Sequence, residues 1–168
     1  MSYFGKYRGV VTDVKDPLNL GRLKARVPDV LGHHECGWAL PCLPFAGQSM
    51  GFFALPKVGA GVWIEFEHGD PEYPIWAGCY YHAVSEVPPN AIMPPAPKAL
   101  VRTAAGNSVL LDDTPLVGGV QLKSQGGEIL KLSNKGLELF DAVGQKIFSV
   151  GPEGLEYSGQ RGEKISIN

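Results

Sequence analysis

The sequence has no apolar run long enough to span a bilayer and no stretch of sustained 3.6-residue periodicity. Neither a membrane helix nor an amphipathic helix bundle is therefore expected. The first residues, MSYFGKYRGVV, lack the apolar core of a secretory signal, so synthesis in the cytoplasm as a soluble chain is the expectation. Cysteine is scarce and odd in number. Cys36, Cys42 and Cys79 sit in strand-like or apolar settings and read as three reduced, packed thiols, not as a disulfide framework. A strong charge of either sign is missing too: 15 Lys and Arg face 17 Asp and Glu, for a net charge of −2. That balance argues against a polyanion-binding protein. What the chain does have is punctuation, with 22 Gly and 14 Pro. Many tight turns follow, and the fold class is all-β.

The last third is the most regular part. From Gly118 onward, short alternating segments restart at Val120, Ile129, Leu137, Ile147, Leu155 and Ile165, separated by breaks at Gly126-Gly127, Gly136, Gly144, Gly151 and Gly159. Period-two alternation between Gly-rich breaks means short strands and turns. A single-chain solenoid needs roughly 18 or more residues per coil, and these units supply one strand and one turn each. Each unit offers about two apolar side chains on one face, too few to bury in an isolated ribbon. Two arrangements remain: a meander lying on another domain, or several copies wound around one shared apolar axis. No spare apolar domain surface is evident, which favours the second. Three chains suit it, because three one-strand faces enclose a prism. The axial residues are then Val120, Leu122, Leu130, Leu132, Leu137, Leu139, Ile147, Leu155, Tyr157, Ile165 and Ile167. A plain antiparallel meander is the alternative.

Upstream, strand-like runs span Tyr7–Val14, Arg22–Val27, Trp38–Phe45, Gly51–Leu55, Val62–Glu67 and Ile75–Tyr81. Leu23, Ala25 and Val27 alternate with Arg22, Lys24 and Arg26, and Val62, Ile64 and Phe66 alternate with Trp63, Glu65 and Glu67. Such half-buried strands are enough to close a small five-stranded Greek-key barrel. Five prolines between Pro88 and Pro97 cannot pair inside a sheet and favour an extended connector. The expected domains are a barrel over 1–86, a Pro-rich connector over 87–97 and a β-helical needle over 98–168. The last opens with a hairpin turning at Gly106-Asn107.

Candidate chemistry is thin. Glu65, Glu67, Asp70 and Glu72 could be paired carboxylates for glycoside hydrolysis, but a solvated hairpin edge explains them more simply. His33, His34, Glu35, Cys36 and Cys42 lack the paired spacings of structural zinc. Gly47-Gln48-Ser49-Met50-Gly51 matches the nucleophile-elbow letters, yet FFAL follows where a helix is required, so Ser49 belongs in a turn. Arg22, Lys24 and Arg26, with Trp38, Phe4 and Tyr7 nearby, would serve a nucleic-acid-binding barrel; a solvated face explains them equally well.

Four stretches, GVVTDVKDPLNLGRLKARVP, WALPCLPFAG, GFFALPKVGAGVWIEFEHGDPEYPIWAGCYY and RTAAGNSVLLDD, together resemble the central spike proteins of contractile injection machines. That family includes phage baseplate assembly protein V and the needle part of the VgrG proteins of type VI secretion. The resemblance implies a five-stranded OB (oligosaccharide/oligonucleotide-binding) barrel that has lost ligand binding, followed by an intertwined homotrimeric β-helix. It implies a structural spike and no enzyme, cofactor, metal or nucleic acid. It further implies a hub protein at the barrel end and a tip protein of the PAAR-repeat type docking around Ile165, Ile167 and Asn168. The target membrane is met only on puncture, and the assembled site is the baseplate of a phage tail or phage-tail-like particle. Some relatives insert a lysozyme domain after the barrel, for which the connector leaves no room. Others carry a hub ahead of the barrel, or end in a His-x-His iron site where this chain reads EKISIN. The alternative reading is an OB module that binds oligosaccharide or single-stranded nucleic acid through its basic strand.

Overall fold

The computed structural model describes residues 2–92, 97–152, 154–158 and 164–167. It divides into two compact units, Met1–Glu86 and Val87–Asn168. Both are built almost wholly of strands, and among the described residues no helix is long and apolar enough to cross a membrane.

The first unit contains β1 (Tyr7–Asp13), β2 (Lys24–Arg26), a one-turn helix α1 (Pro28–Leu31), β3 (Leu40–Pro41), β4 (Ala46–Gly47), β5 (Met50–Gly51), β6 (Gly61–Phe66) and β7 (Pro74–Tyr80). The main sheet has the order β2-β1-β6-β7-β3, with β3 parallel to β7 and the other pairs antiparallel. An antiparallel bridge between Leu23 and Ala39 joins its two ends. Leu23 N–H donates to the Ala39 carbonyl at 3.2 Å, and Ala39 N–H donates back at 2.8 Å. The ring is therefore closed, and with a parallel third and fifth strand it is an OB barrel.

Alternation decides what fills it. Val11, Leu23, Ala25, Val27, Val62, Ile64 and Phe66 are buried, together with Cys36, Ala39 and Trp76. Lys24 and Arg26 point away from that core, as the alternation requires. Closure also limits which runs become strands. Trp38–Phe45 forms a strand only over Leu40–Pro41, with the Ala39 bridge before it, and Gly51–Leu55 pairs only at Gly51, in a two-stranded ribbon of β4 and β5. Pro41 and Pro44 withhold backbone donors, and the ring offers no free edge for a longer fourth run. Residues 28–31 form a helical turn led by Pro28, where a loop was expected. Of the thiols only Cys36 is packed; Cys42 and Cys79 are exposed. A register shift in the β6–β7 pairing, with Gly78 at φ 122°, turns Cys79 outward.

The second unit begins with another helical turn, α2 (Pro89–Ile92), where an extended connector was expected. Residues 93–96 lie outside the described part. Eight strands follow: β8 (Lys98–Arg102), β9 (Ser108–Asp112), β10 (Gly119–Lys123), β11 (Ile129–Ser133), β12 (Gly136–Phe140), β13 (Lys146–Gly151), β14 (Gly154–Ser158) and β15 (Lys164–Ile167). Each pairs antiparallel with its sequence neighbours only, giving a continuous meander. The backbones approach closely where strands turn. At Gly136, with φ 100°, an added Cβ would lie 2.0 Å from the Val150 carbonyl oxygen, so no other residue fits there.

Leu23 is fully enclosed. Leu23→Ala is expected to lower barrel stability by about 2–5 kcal/mol, read as a reduced midpoint in urea with an unchanged slope.

Candidate assembly interface

The five-residue strands of the meander each place two apolar side chains on one face, and the register aligns them into two columns. One runs Ala99, Leu111, Val120, Leu132, Leu137, Val150, Leu155 and Ile167. The other runs Val101, Val109, Leu122, Leu130, Leu139, Phe148, Tyr157 and Ile165. Cross-strand neighbours of this kind are the stabilising unit of a sheet, but a second layer must cover them to exclude water. These side chains stay open: Val120, Leu122, Leu130, Leu132, Ile165 and Ile167 are each between 37% and 61% exposed. Among the described residues of this unit, only Leu110 is buried.

The opposite face is polar along its centre, where Gln121, Lys131, Glu138, Ser149 and Glu156 are successive partners. Lys146 pairs with Glu156 and Lys98 with Asp112, each at 3.1 Å. The Asp112 carboxylate is held at about 2, chiefly by the Thr114 hydroxyl and N–H, with Lys98 adding to the effect.

Ten of the eleven residues expected on an axis fall in the two columns. Ile147 does not. The β12–β13 pairing shifts register next to Leu139, which opposes Phe148, so Phe148 and Val150 occupy the columns and Ile147 is the extra residue. The columns also extend back through Val109 and Leu111 to Ala99 and Val101, which the repeat pattern alone did not include. The alternation LVR and SVLLD was the available signal. Ile165 and Ile167 lie on the edge strand β15; Asn168 lies outside the described residues.

On the barrel, the residues with chemical potential are engaged locally. Asp16 is the centre of a knot that sequence reading passed over as a turn. Its Oδ1 accepts from Leu18 N–H at 3.0 Å, from Arg22 Nε at 2.9 Å and from Arg22 Nη2 at 2.6 Å. Its Oδ2 accepts from Leu20 N–H at 2.8 Å and Arg22 N–H at 3.2 Å. The Arg22 side chain, foremost, pulls the Asp16 carboxyl far below the ordinary carboxylate range. The signal was an Asp opening a loop that closes on an Arg six residues later. Trp76 locks the loop to the core by donating its indole N–H to the Gly21 carbonyl at 3.1 Å.

Arg22 and Lys24 also flank the Trp38 ring, at 5.7 and 5.2 Å from its centroid. The basic strand is thus partly neutralised, and its aromatic neighbour is partly covered. Glu65 is paired with Lys6, and Asp70 accepts the Glu72 N–H at 3.1 Å. Ser49 stands in the turn between β4 and β5, with no helix after it. Cys36 Sγ lies in the core, accepting the Ala25 N–H at 3.4 Å, while His33 and His34 are exposed. Among the described residues no group of three or more His, Cys, Asp or Glu is placed to hold a metal.

A closed OB ring in one unit and a one-layer antiparallel meander in the other define the class: an all-β protein with an OB barrel. Comparison with known proteins narrows this. Residues 7–81 match the family of the type VI secretion system/phage-baseplate injector OB domain, in agreement with the resemblance carried by the four motif stretches. The actin cross-linking toxin VgrG1 of Vibrio cholerae serotype O1 is 38% identical over 66 residues, 39% of this chain and 6% of that protein. The type VI secretion system spike protein VgrG4b of Pseudomonas aeruginosa is 39% identical over 51 residues, 30% of this chain and 6% of that protein. The type VI secretion system spike protein VgrG3 of Vibrio cholerae serotype O1 is 34% identical over 74 residues, 42% of this chain and 7% of that protein. The chain thus spans only a small part of the length of these relatives.

Because Asp16 has its carboxyl shifted down, its contribution to stability is complete above the unfolded value of 3.8 and is lost as pH falls through the lower folded value. Asp16→Asn is expected to lower the thermal midpoint at neutral pH. The difference from the parent should narrow below about pH 4, measured by calorimetry across pH 2–7.

Proposed function

We propose that the protein is the structural spike of a contractile injection machine, a homotrimer in which three meanders stand as the walls of a prism and share one apolar axis. The observation that carries this is the pair of eight-rung apolar columns on a face that one chain leaves open to water. Three such sheets supply one another with the missing layer. Two of the similar proteins are named as spike proteins, and the barrel matches the injector family.

In this reading residues 1–86 form a collar, 87–97 a connector and 98–168 the needle. Eight strands stacked at about 4.8 Å give a needle of roughly 35–40 Å. Its working property is stiffness. Every strand except β8 and β15 at the ends is hydrogen-bonded above and below, and the axis is dry, so bending breaks many contacts together. No catalytic step is assigned to it. The barrel end joins a hub of the baseplate, and the edge strand β15, with Ile165, Ile167 and Asn168, receives a PAAR-type tip protein. Contraction then drives tip and needle through the target envelope. The chain is made in the cytoplasm and assembled into the baseplate of a phage tail or phage-tail-like particle.

Light scattering is expected to give about three times the chain mass of 18.0 kDa. Leu137→Asp places three like charges at one level of the dry axis, and is expected to abolish the trimer while leaving the barrel folded. A well-ordered monomer, or a Leu137→Asp variant that still assembles, overturns the proposal.

A further inference from the structure

The barrel has one surface that none of its own contacts explains. Between Glu35 and Lys57 the chain carries no charged side chain, although much of this stretch lies at the surface. Phe45, Met50, Phe52 and Phe53 from this stretch, with Leu18 and Leu20 from the Asp16–Arg22 loop, are between 47% and 66% exposed. They form one patch. Phe52 N–H donates to the Phe45 carbonyl at 3.1 Å, and the Phe53 ring lies 3.0 Å from where Gly21 would carry a Cβ. Beneath, a cavity of about 360 Å³ is lined by Val14, Gly21, Phe53 and Leu55 together with the polar Lys15, Asp16 and Asn19. A cluster of six large exposed apolar side chains, four of them from a stretch without charge, marks a protein contact.

We infer that this patch is a barrel-to-barrel contact whose occupant is a second copy of this chain; the inference rests on the trimeric reading above. The chain's own route favours a copy over a foreign partner. Tyr80, the last residue of β7, pairs with Gly61, and Gly61 pairs with Val10 of β1. Gly59 N–H donates to the Val11 carbonyl at 2.8 Å. The chain therefore leaves the barrel at the same end of the β1–β6–β7 sheet from which both patch segments spring. The turn 67–73, with Glu67, Asp70 and Glu72, hangs from the other end. Residues 82–97 then lead to β8, a reach of at most about 55 Å. Three chains joined through their C-terminal sheets hold this end of each barrel near its two copies, at an effective concentration on the order of millimolar. An apolar patch too weak to associate free barrels closes under that tether. A cyclic trimer needs no self-complementary surface, since the patch of one barrel meets a different surface of the next.

The test uses the full chain with the photo-crosslinker p-benzoylphenylalanine in place of Phe53, and a control with it in place of Tyr73. Both positions are solvent-exposed, so neither probe disturbs the core. Illumination of the trimer is expected to give a covalent adduct at twice 18.0 kDa from position 53 and none from position 73. Adding Leu18→Asp to the position-53 probe should lower adduct yield roughly tenfold without changing the trimer mass. A trimer that gives no adduct from position 53, or equal adducts from both positions, overturns this inference and leaves the spike reading intact. A monomer overturns both.

Discussion

A sheet one layer thick has two surfaces in water, and it is stable only if neither is rich in apolar groups or if something covers the one that is. In the C-terminal unit the register aligns two apolar columns along one face through all eight strands, while the other face carries Gln121, Lys131, Glu138, Ser149 and Glu156 along its centre, beside Leu100, Leu110, Ile129 and Phe140. That segregation leaves the unit with a single buried residue among those described, Leu110. Hydrogen bonding along the meander is complete between neighbours, so the deficit is not in the backbone. It is in the layer that the exposed columns lack.

The barrel answers the same need in the opposite way. By bending its sheet until Leu23 meets Ala39, it makes one surface into an interior and fills it with its own side chains. Its polar groups are turned inward in purpose as well. Asp16 organises a loop, Arg22 is committed to Asp16 and Trp38, and Lys24 covers the other edge of that ring. A ligand-binding barrel keeps such groups free for its ligand. Here they hold the shape of the barrel that residues 7–81 share with the injector OB family.

Much of this was legible in the residues, because alternation is a local property. The inward sets Leu23–Ala25–Val27 and Val62–Ile64–Phe66, and ten of the sixteen column residues, follow from period two alone. Features set by distant partners were not legible. The two-residue strand β3 exists because β7 and Leu23 are there to receive it, and FFAL stays unpaired because the ring is already closed. Ile147 looked axial until the register shift beside Leu139 gave its place to Phe148. The Asp16 knot was hidden in an ordinary-looking turn, since nothing in KDPLNLGR states that one carboxylate will collect both a guanidinium and three backbone N–H groups. The family resemblance came from strings of turn and strand residues lying mostly in the barrel, the part that closes on itself.

The strictly sequential pairing of the meander also governs how such a molecule comes into being. Every strand finds its partner in the next few residues, so loop closure is cheap and the sheet can reach its register on one polypeptide without outside help. Only the meeting of finished sheets then depends on how many copies are present. Until that meeting, each molecule carries an open apolar face with an unprotected strand at its rim, the kind of surface on which chains stack out of order. For the assembly proposed above, scarcity during synthesis is therefore the hazardous state, and abundance the safe one.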